Sequence, residues 1–210
     1  REARQRPSRA ILTLLSIVIG VAAVVAVTIA SGTTNRAFDQ IFQTVAGKAE
    51  LEVTGPIGNS FKADIATQVR QLPMVQTVAP LLKRNTILYV GKAKQYRLIA
   101  LGIDPAVDQE VRNYDIVQGK MVTDDTPGIM LDETFAKNAG IKLSQQVAIF
   151  TKKGIANPKV LAFYKPRNAA PSAEGSPILL PLKAAQSLYK SPAKIDAAQI
   201  MLKPGTDKDA

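Results

Sequence analysis

A chain of 210 residues, 46% hydrophobic and 5% aromatic, has room for one medium domain or two small ones beside any membrane segment. With no Cys and no His it forms no disulfide, lacks the usual zinc and copper ligands, and is excluded from Ser-His-Asp and Cys-His catalysis. A net charge of +10 would suit nucleic acid, but the lysines are scattered singly among few aromatics, so no nucleic-acid partner is expected.

The first nine residues hold Arg1, Arg4, Arg6 and Arg9 against Glu2, a basic flank expected to stay cytoplasmic. From Ala10 to Ala30 the chain runs 21 residues without a charge. About 20 helical residues cross the ~30 Å hydrocarbon core of a bilayer, so a transmembrane helix is expected over residues 10–31. Thr13, Ser16 and Thr28 fit it because a helical hydroxyl can bond a carbonyl of the preceding turn. A signal peptide would have a shorter apolar core, of about 7–15 residues, and an interfacial helix would have a polar face. The residues beyond it are then extracytoplasmic. Ala22, Ala26 and Ala30 on one face, and Ser16 and Gly20 on a neighbouring one, have the spacing of small residues at which a second helix can approach.

Phe38, Ile41, Phe42 and Val45 follow at i, i+3, i+4 and i+7, which predicts an amphipathic stalk helix over residues 32–47, stopped by Gly47. Ala49–Thr54 alternates as a strand and Gly55–Gly58 turns. Phe61, Ile65, Val69 and Leu72 repeat at helical spacing, which predicts a helix over 61–72 with Ser60 as N-cap and Pro73 after its end. Val75–Pro80 is expected as a short strand. Thr86–Val90 and Tyr96–Leu101 are expected as a hairpin around Gly91-Lys92.

A second group then follows. Helices are expected at Pro105–Arg112 and Asp132–Ala139, the latter ended by Gly140, with strands at Gln146–Thr151 and Val160–Tyr164. Pro166–Pro177 reads as a loop, Ile178–Leu180 as a strand, Leu182–Tyr189 as a helix and Ala198–Leu202 as a last strand. The fold class expected is α+β in two lobes, residues 48–103 with 196–210 and residues 104–195. The chain opens on Arg1 rather than Met and stops in Thr-Asp-Lys-Asp-Ala, so it is expected to be a piece of a longer polypeptide.

The chemistry that remains is sparse. Gly47-Lys48, Gly91-Lys92 and Gly119-Lys120 lack the preceding glycine spacing of a phosphate-binding loop, so no nucleotide and no other cofactor is expected. Asp104/Asp108/Glu110, Asp124/Asp125 and Asp132/Glu133 would serve a metal or general acid–base work only if they converged. Turns and helix starts account for them better, and no catalytic or metal-binding residue is assigned. Residues 152–210 carry ten basic and four acidic residues, which suits a solvated surface or the neighbourhood of anionic headgroups.

Arg9–Val27, RAILTLLSIVIGVAAVVAV, resembles the first membrane helix of MacB-like, FtsX-like ABC transporter permeases, with Ser16 where glycine is usual. The resemblance continues in order through Leu72-Pro73-Met74-Val75 with Val78-Ala79-Pro80, and through Leu101-Gly102-Ile103-Asp104-Pro105. Ile116-Val117-Gln118-Gly119-Lys120 follows, with Lys for the usual Arg, and then Leu180-Pro181-Leu182 with Ala185-Gln186. It implies the first membrane helix and the periplasmic core domain of a permease in a bacterial inner membrane, with three further helices beyond Ala210. The partners it implies are a cytoplasmic ABC ATPase and a second permease copy or a related permease. Membrane lipid, and a periplasmic adaptor or outer-membrane protein, complete the set. In such a machine Phe38, Ile41, Phe42 and Val45 would pack the stalk and pass on ATP-driven motion for export or for regulating a partner. The substrate, and any residue that binds it, is unassigned. The residues alone also allow a single-span anchored domain that binds an extracytoplasmic partner as adaptor or sensor.

Overall fold

The computed structural model describes residues 15–26, 49–56, 59–91, 94–112, 114–167 and 177–205. Residues 15–26 are helical (α1) and exposed throughout. They are the middle of the apolar stretch, and at 1.5 Å per residue they rise about 18 Å. Among the described residues no helix is long and apolar enough to cross a membrane. The flanks of the expected 10–31 helix lie outside the described residues. So do the expected stalk with Phe38, Ile41, Phe42 and Val45, and most of the Pro166–Pro177 loop.

The chain divides into two units, up to Phe42 and from Gln43 on. The second is built on a ten-stranded mixed sheet. Its strands are β1 (Leu51–Thr54), β3 (Val75–Val90), β4 (Lys94–Ile103), β5 (Tyr114–Gly119), β6 (Ile129–Asp132), β7 (Ala148–Thr151), β8 (Gly154–Ala156), β9 (Val160–Pro166), β10 (Ile178–Pro181) and β12 (Ala197–Leu202). The main path runs β1-β12-β3-β4-β10-β6-β9-β5, with β7 on the outer half of β3 and β8 on β7. Two joins are parallel, β4 with β10 and β6 with β9. A separate ribbon pairs β2 (Phe61–Lys62) with β11 (Lys194–Ile195).

Side-chain alternation along the strands gives the sheet two different faces. On one, helices α2 (Asp64–Arg70), α4 (Glu133–Ala139) and α5 (Leu182–Leu188) bury Ala66, Phe135, Ala136 and Ala185 among Val78, Leu82, Leu88, Leu98 and Ile200. On the other, Leu81, Leu101, Ile103, Met130 and Leu179 lie under the connection that follows β4. That connection includes the single turn α3 (Asp108–Val111), Tyr114 and Val122. The first buried cluster joins residues of both expected lobes, and the ladder pairing Ile178 with Ala100 through Pro181 with Ile103 crosses the expected boundary at Ile103.

Several local expectations match. Asp132 caps α4 by accepting from Phe135 N at 2.9 Å, and Gly140 closes it in the left-handed region at φ +73°. The β3–β4 hairpin turns at Gly91, φ +63°.

Others need correction. The expected 61–72 helix starts three residues late: Phe61 lies in β2, and Asp64 opens α2 with no side-chain cap. Phe61 still packs on the core, from a strand instead of a helix. Ser60 caps nothing, because its hydroxyl donates to Asp196 Oδ1 at 2.6 Å. Leu72, expected on the apolar face, is exposed. The short strands at 75–80 and 86–90 are one 16-residue strand. Pro80 is tolerated in it because β4 pairs only from Leu81 onward, so β3 has an open edge beside the proline. Ile116–Gly119, in the third extracytoplasmic stretch of the resemblance, forms the end of β5.

Gly102 fixes how α5 sits on the sheet. A Cβ there would fall 2.5 Å from Ala185 Cβ and 3.3 Å from Leu82 Cβ, so the helix rests directly on the β4 backbone. Gly102→Ala is therefore expected to lower stability by about 1–3 kcal/mol, read as a lower urea midpoint at unchanged slope.

Candidate functional site

A buried group of polar side chains lies beneath the connection on the second face. Asp104 starts the arrangement: its carboxylate accepts from Ala106 N at 3.1 Å, and its carbonyl accepts from Val107 and Asp108 N. The short helical turn that follows puts Asp108 and Arg112 four residues apart on one side, where they form an ion pair with both side chains wholly buried.

Their remaining bonding capacity is directed along a line. Tyr114 Oη donates to Asp108 Oδ2 at 2.9 Å, and Arg112 Nη2 donates to Gln199 Oε1 at 2.8 Å. Gln199 Nε2 donates to Glu52 Oε2 at 3.0 Å, and Glu52 Oε1 meets Lys83 Nζ at 3.1 Å. The line Tyr114–Asp108–Arg112–Gln199–Glu52–Lys83 alternates in charge and ties β5, α3, β12, β1 and β3 together. Thr77 Oγ1 adds a bond of 2.6 Å to Glu110.

Burial alone would favour neutral groups here. It lowers the Arg112 guanidinium to about 10, with Tyr114 and Glu52 opposing the shift, so Arg112 still carries its charge at neutral pH. Burial also pushes the Tyr114 hydroxyl up, so it keeps its proton and donates to Asp108. Beside this line a crevice lined by Leu101, Arg112, Tyr114, Tyr164 and Leu179 has room for about one water molecule. Tyr164 Oη donates to Pro177 O at its edge, 2.6 Å.

A second knot lies next to Lys83 on the opposite face of β3. Asp196 pairs with Arg84 and accepts from Lys83 N at 2.7 Å, while Arg84 Nη2 donates to Ser60 Oγ at 2.9 Å and Ser191 Oγ at 3.1 Å.

The three carboxylate clusters do not converge. Asp104 makes a turn, Asp108 is used by Arg112, and Glu110 takes Thr77. Asp124 meets Lys183 at 2.7 Å on the surface, and Asp132 caps α4. Among the described residues no three or more carboxylates gather as a metal site would require. Sequence reasoning counted Asp108 among a carboxylate cluster and did not single out Arg112, Tyr114, Gln199 or Glu52 as one group. The i,i+4 spacing of Asp108 and Arg112 was the one signal available, and nothing local says that the pair is buried.

The family model described as MacB-like periplasmic core domain matches residues 10–210. Among solved structures, the periplasmic region of MacB from Actinobacillus actinomycetemcomitans is similar at 15% identity and a TM-score of 0.58. That match covers 81% of this chain and 83% of that one. The extracellular domain of the noncanonic ABC-type transporter YknZ from Gram-positive bacteria is similar at 11% identity and a TM-score of 0.56, covering 71% and 76%. No curated protein matches the sequence.

Removing one partner of a wholly buried ion pair strands the other. Asp108→Asn and Arg112→Met are each expected to cost about 3–5 kcal/mol in urea unfolding. The double variant should be less damaging than the sum of the two, with a coupling of about 0.5–3 kcal/mol.

Proposed function

The chain belongs to the family of MacB-like periplasmic core domains, and on that premise we propose that it is the extracytoplasmic module of an ABC transporter permease, with its membrane helix at the N-terminus. The observation that carries this reading is the family match, which begins inside the uncharged stretch and runs through the whole domain. In this reading motion generated by a cytoplasmic ATPase passes through the helix expected at residues 10–31 and the stalk expected at 32–47, for which Phe38, Ile41, Phe42 and Val45 are the expected packing residues, and enters the domain at β1.

The buried polar line supports this route. Glu52 sits on β1, the first strand the chain forms after residue 49, and bonds to Gln199 on β12. Gln199 in turn holds Arg112 and, through it, Asp108 and Tyr114. A displacement of β1 therefore reaches the connection and β5 through bonded groups. In this reading the two expected lobes, 48–103 with 196–210 and 104–195, are halves of one sheet that move together.

The module has no catalytic step of its own. Its expected partners are the ATPase, a second permease copy or a related permease, the lipid around the helix, and an adaptor or outer-membrane protein at the far end. The output is export or the regulation of a partner outside the membrane.

Two measurements test it. The chain has no Cys, so single cysteines report topology cleanly. Lys152→Cys should react with a membrane-impermeant maleimide in intact spheroplasts and Ser8→Cys only after permeabilisation; the opposite pattern would overturn the reading. The parent protein should carry three further apolar segments of about 20 residues and co-purify with an ABC ATPase.

A further inference from the structure

The outer half of β3 and β4, with β7 and β8, leaves one sheet face uncovered. Leu88 pairs with Ile149 and both point into the helical core, so their neighbours Ile87 and Phe150 point to the opposite face. The ladders align Arg97 on β4 with Ile87 on β3, and Phe150 on β7 with Ile155 on β8. Continuing the β3–β7 register by one step sets Phe150 beside Ile87. The result is a row across four strands, Arg97–Ile87–Phe150–Ile155, with Ile99 to one side. Phe150 is 51% exposed, Ile155 64% and Ile99 38%.

Three features restrict what can cover this row. The first is charge. Residues 75–103 and 148–156 carry seven Lys or Arg and no Asp or Glu, and only Lys83 and Arg84 of the seven are in ion pairs among the described residues. Of these, Arg97 ends the row and Lys152 stands exposed at the β7–β8 turn. An acidic partner is favoured and a basic one opposed.

The second is position. Glu50 N bonds Ile200 O, and Ile200 pairs with Val78, so the chain enters beside the start of β3. Ile87 lies twelve residues beyond Val75 on the same strand, about 40 Å at ~3.3 Å per residue. If the entry point faces the membrane, as in the function proposed above on which this step rests, the row is on the side away from it. A lipid surface is then out of reach.

The spacing adds a third constraint. Strands lie about 4.8 Å apart, so Ile87 to Ile155 spans about 10 Å, the rise between helix positions i and i+7. β8 itself is only three residues long and follows Lys152-Lys153, which disfavours strand addition.

We propose that this face docks an acidic amphipathic helix of an extracytoplasmic protein, laid across the strands with its apolar stripe on Ile87, Phe150 and Ile155 and a carboxylate at Arg97.

The test uses the full chain in phosphatidylcholine nanodiscs. The probe is a helical peptide with Leu at i, i+3 or i+4, and i+7 and with Glu on its flanks, its binding followed by fluorescence anisotropy. Binding should weaken with salt and fall at least about tenfold in Phe150→Asp/Ile155→Asp and in Arg97→Glu/Lys152→Glu. A peptide with Lys in place of Glu should not bind. All four side chains are exposed or at a turn, so thermal unfolding should stay near that of the parent. No binding, equal binding by all variants, or equal binding of the Lys peptide would overturn the proposal. So would pairing of two copies of this chain that the Phe150/Ile155 variant abolishes. Capture by phosphatidylglycerol vesicles in place of the peptide would contradict the distal placement, and it would leave the cysteine-labelling result, which tests the permease reading, standing by itself.

Discussion

Asp108 and Arg112 are the constraint from which the second face of the sheet is built. Each is a charge without water, and a separated buried charge is far more expensive than a paired one. The pair therefore requires the helical turn that brings residues four apart together, the tyrosine that donates to Asp108, and the glutamine that receives Arg112. Gln199 is itself buried on a strand, which passes the requirement on to Glu52 and Lys83. An apolar filling of the same space would hold the connection as well. What the polar line adds is direction, because Asp108, Arg112, Gln199 and Glu52 each bridge two specific neighbours in it.

The opposite face is held by shape. Gly102 and Ala185 lie in two separate pieces of sequence that each resemble the family, and the fold brings those pieces into contact: the missing Cβ at one receives the methyl of the other. Gly119 behaves similarly, with φ +90° and Leu161 O 2.1 Å from where a Cβ would be. Gly102 and Gly119 are thus places where a neighbouring segment approaches the backbone closely, which gives a physical reason for glycine in those two motifs.

What was legible in the chain followed the range of the interaction. Asp132 and Gly140 act within one turn, and their cap and stop were readable. The hairpin at Gly91 was readable for the same reason. Ser60 and Phe61 have the local pattern of a capped helix, but Ser60 is claimed by Asp196, 136 residues away, and Phe61 by pairing with Ile195. Lys83, Arg84 and Asn85 lie between the two strands expected at Val75–Pro80 and Thr86–Val90. The charged ends of Lys83 and Arg84 are met by Glu52 and Asp196 from distant segments, and Asn85 faces solvent, so the strand continues through all three. The family was legible from motif order. The polar line was not, because burial of Arg112 depends on strands that close the chain from both ends.

The claim that these parts act as one mechanical unit can be measured by native-state hydrogen exchange of the full chain in rising denaturant. The account predicts that amides of β1, β12, the first half of β3 and residues 104–119 lose protection at one common opening free energy, and that Arg112→Met lowers all four together. If residues 104–119 opened separately at a lower free energy, with β1 and β12 unchanged by the substitution, the coupling through Arg112 would be contradicted.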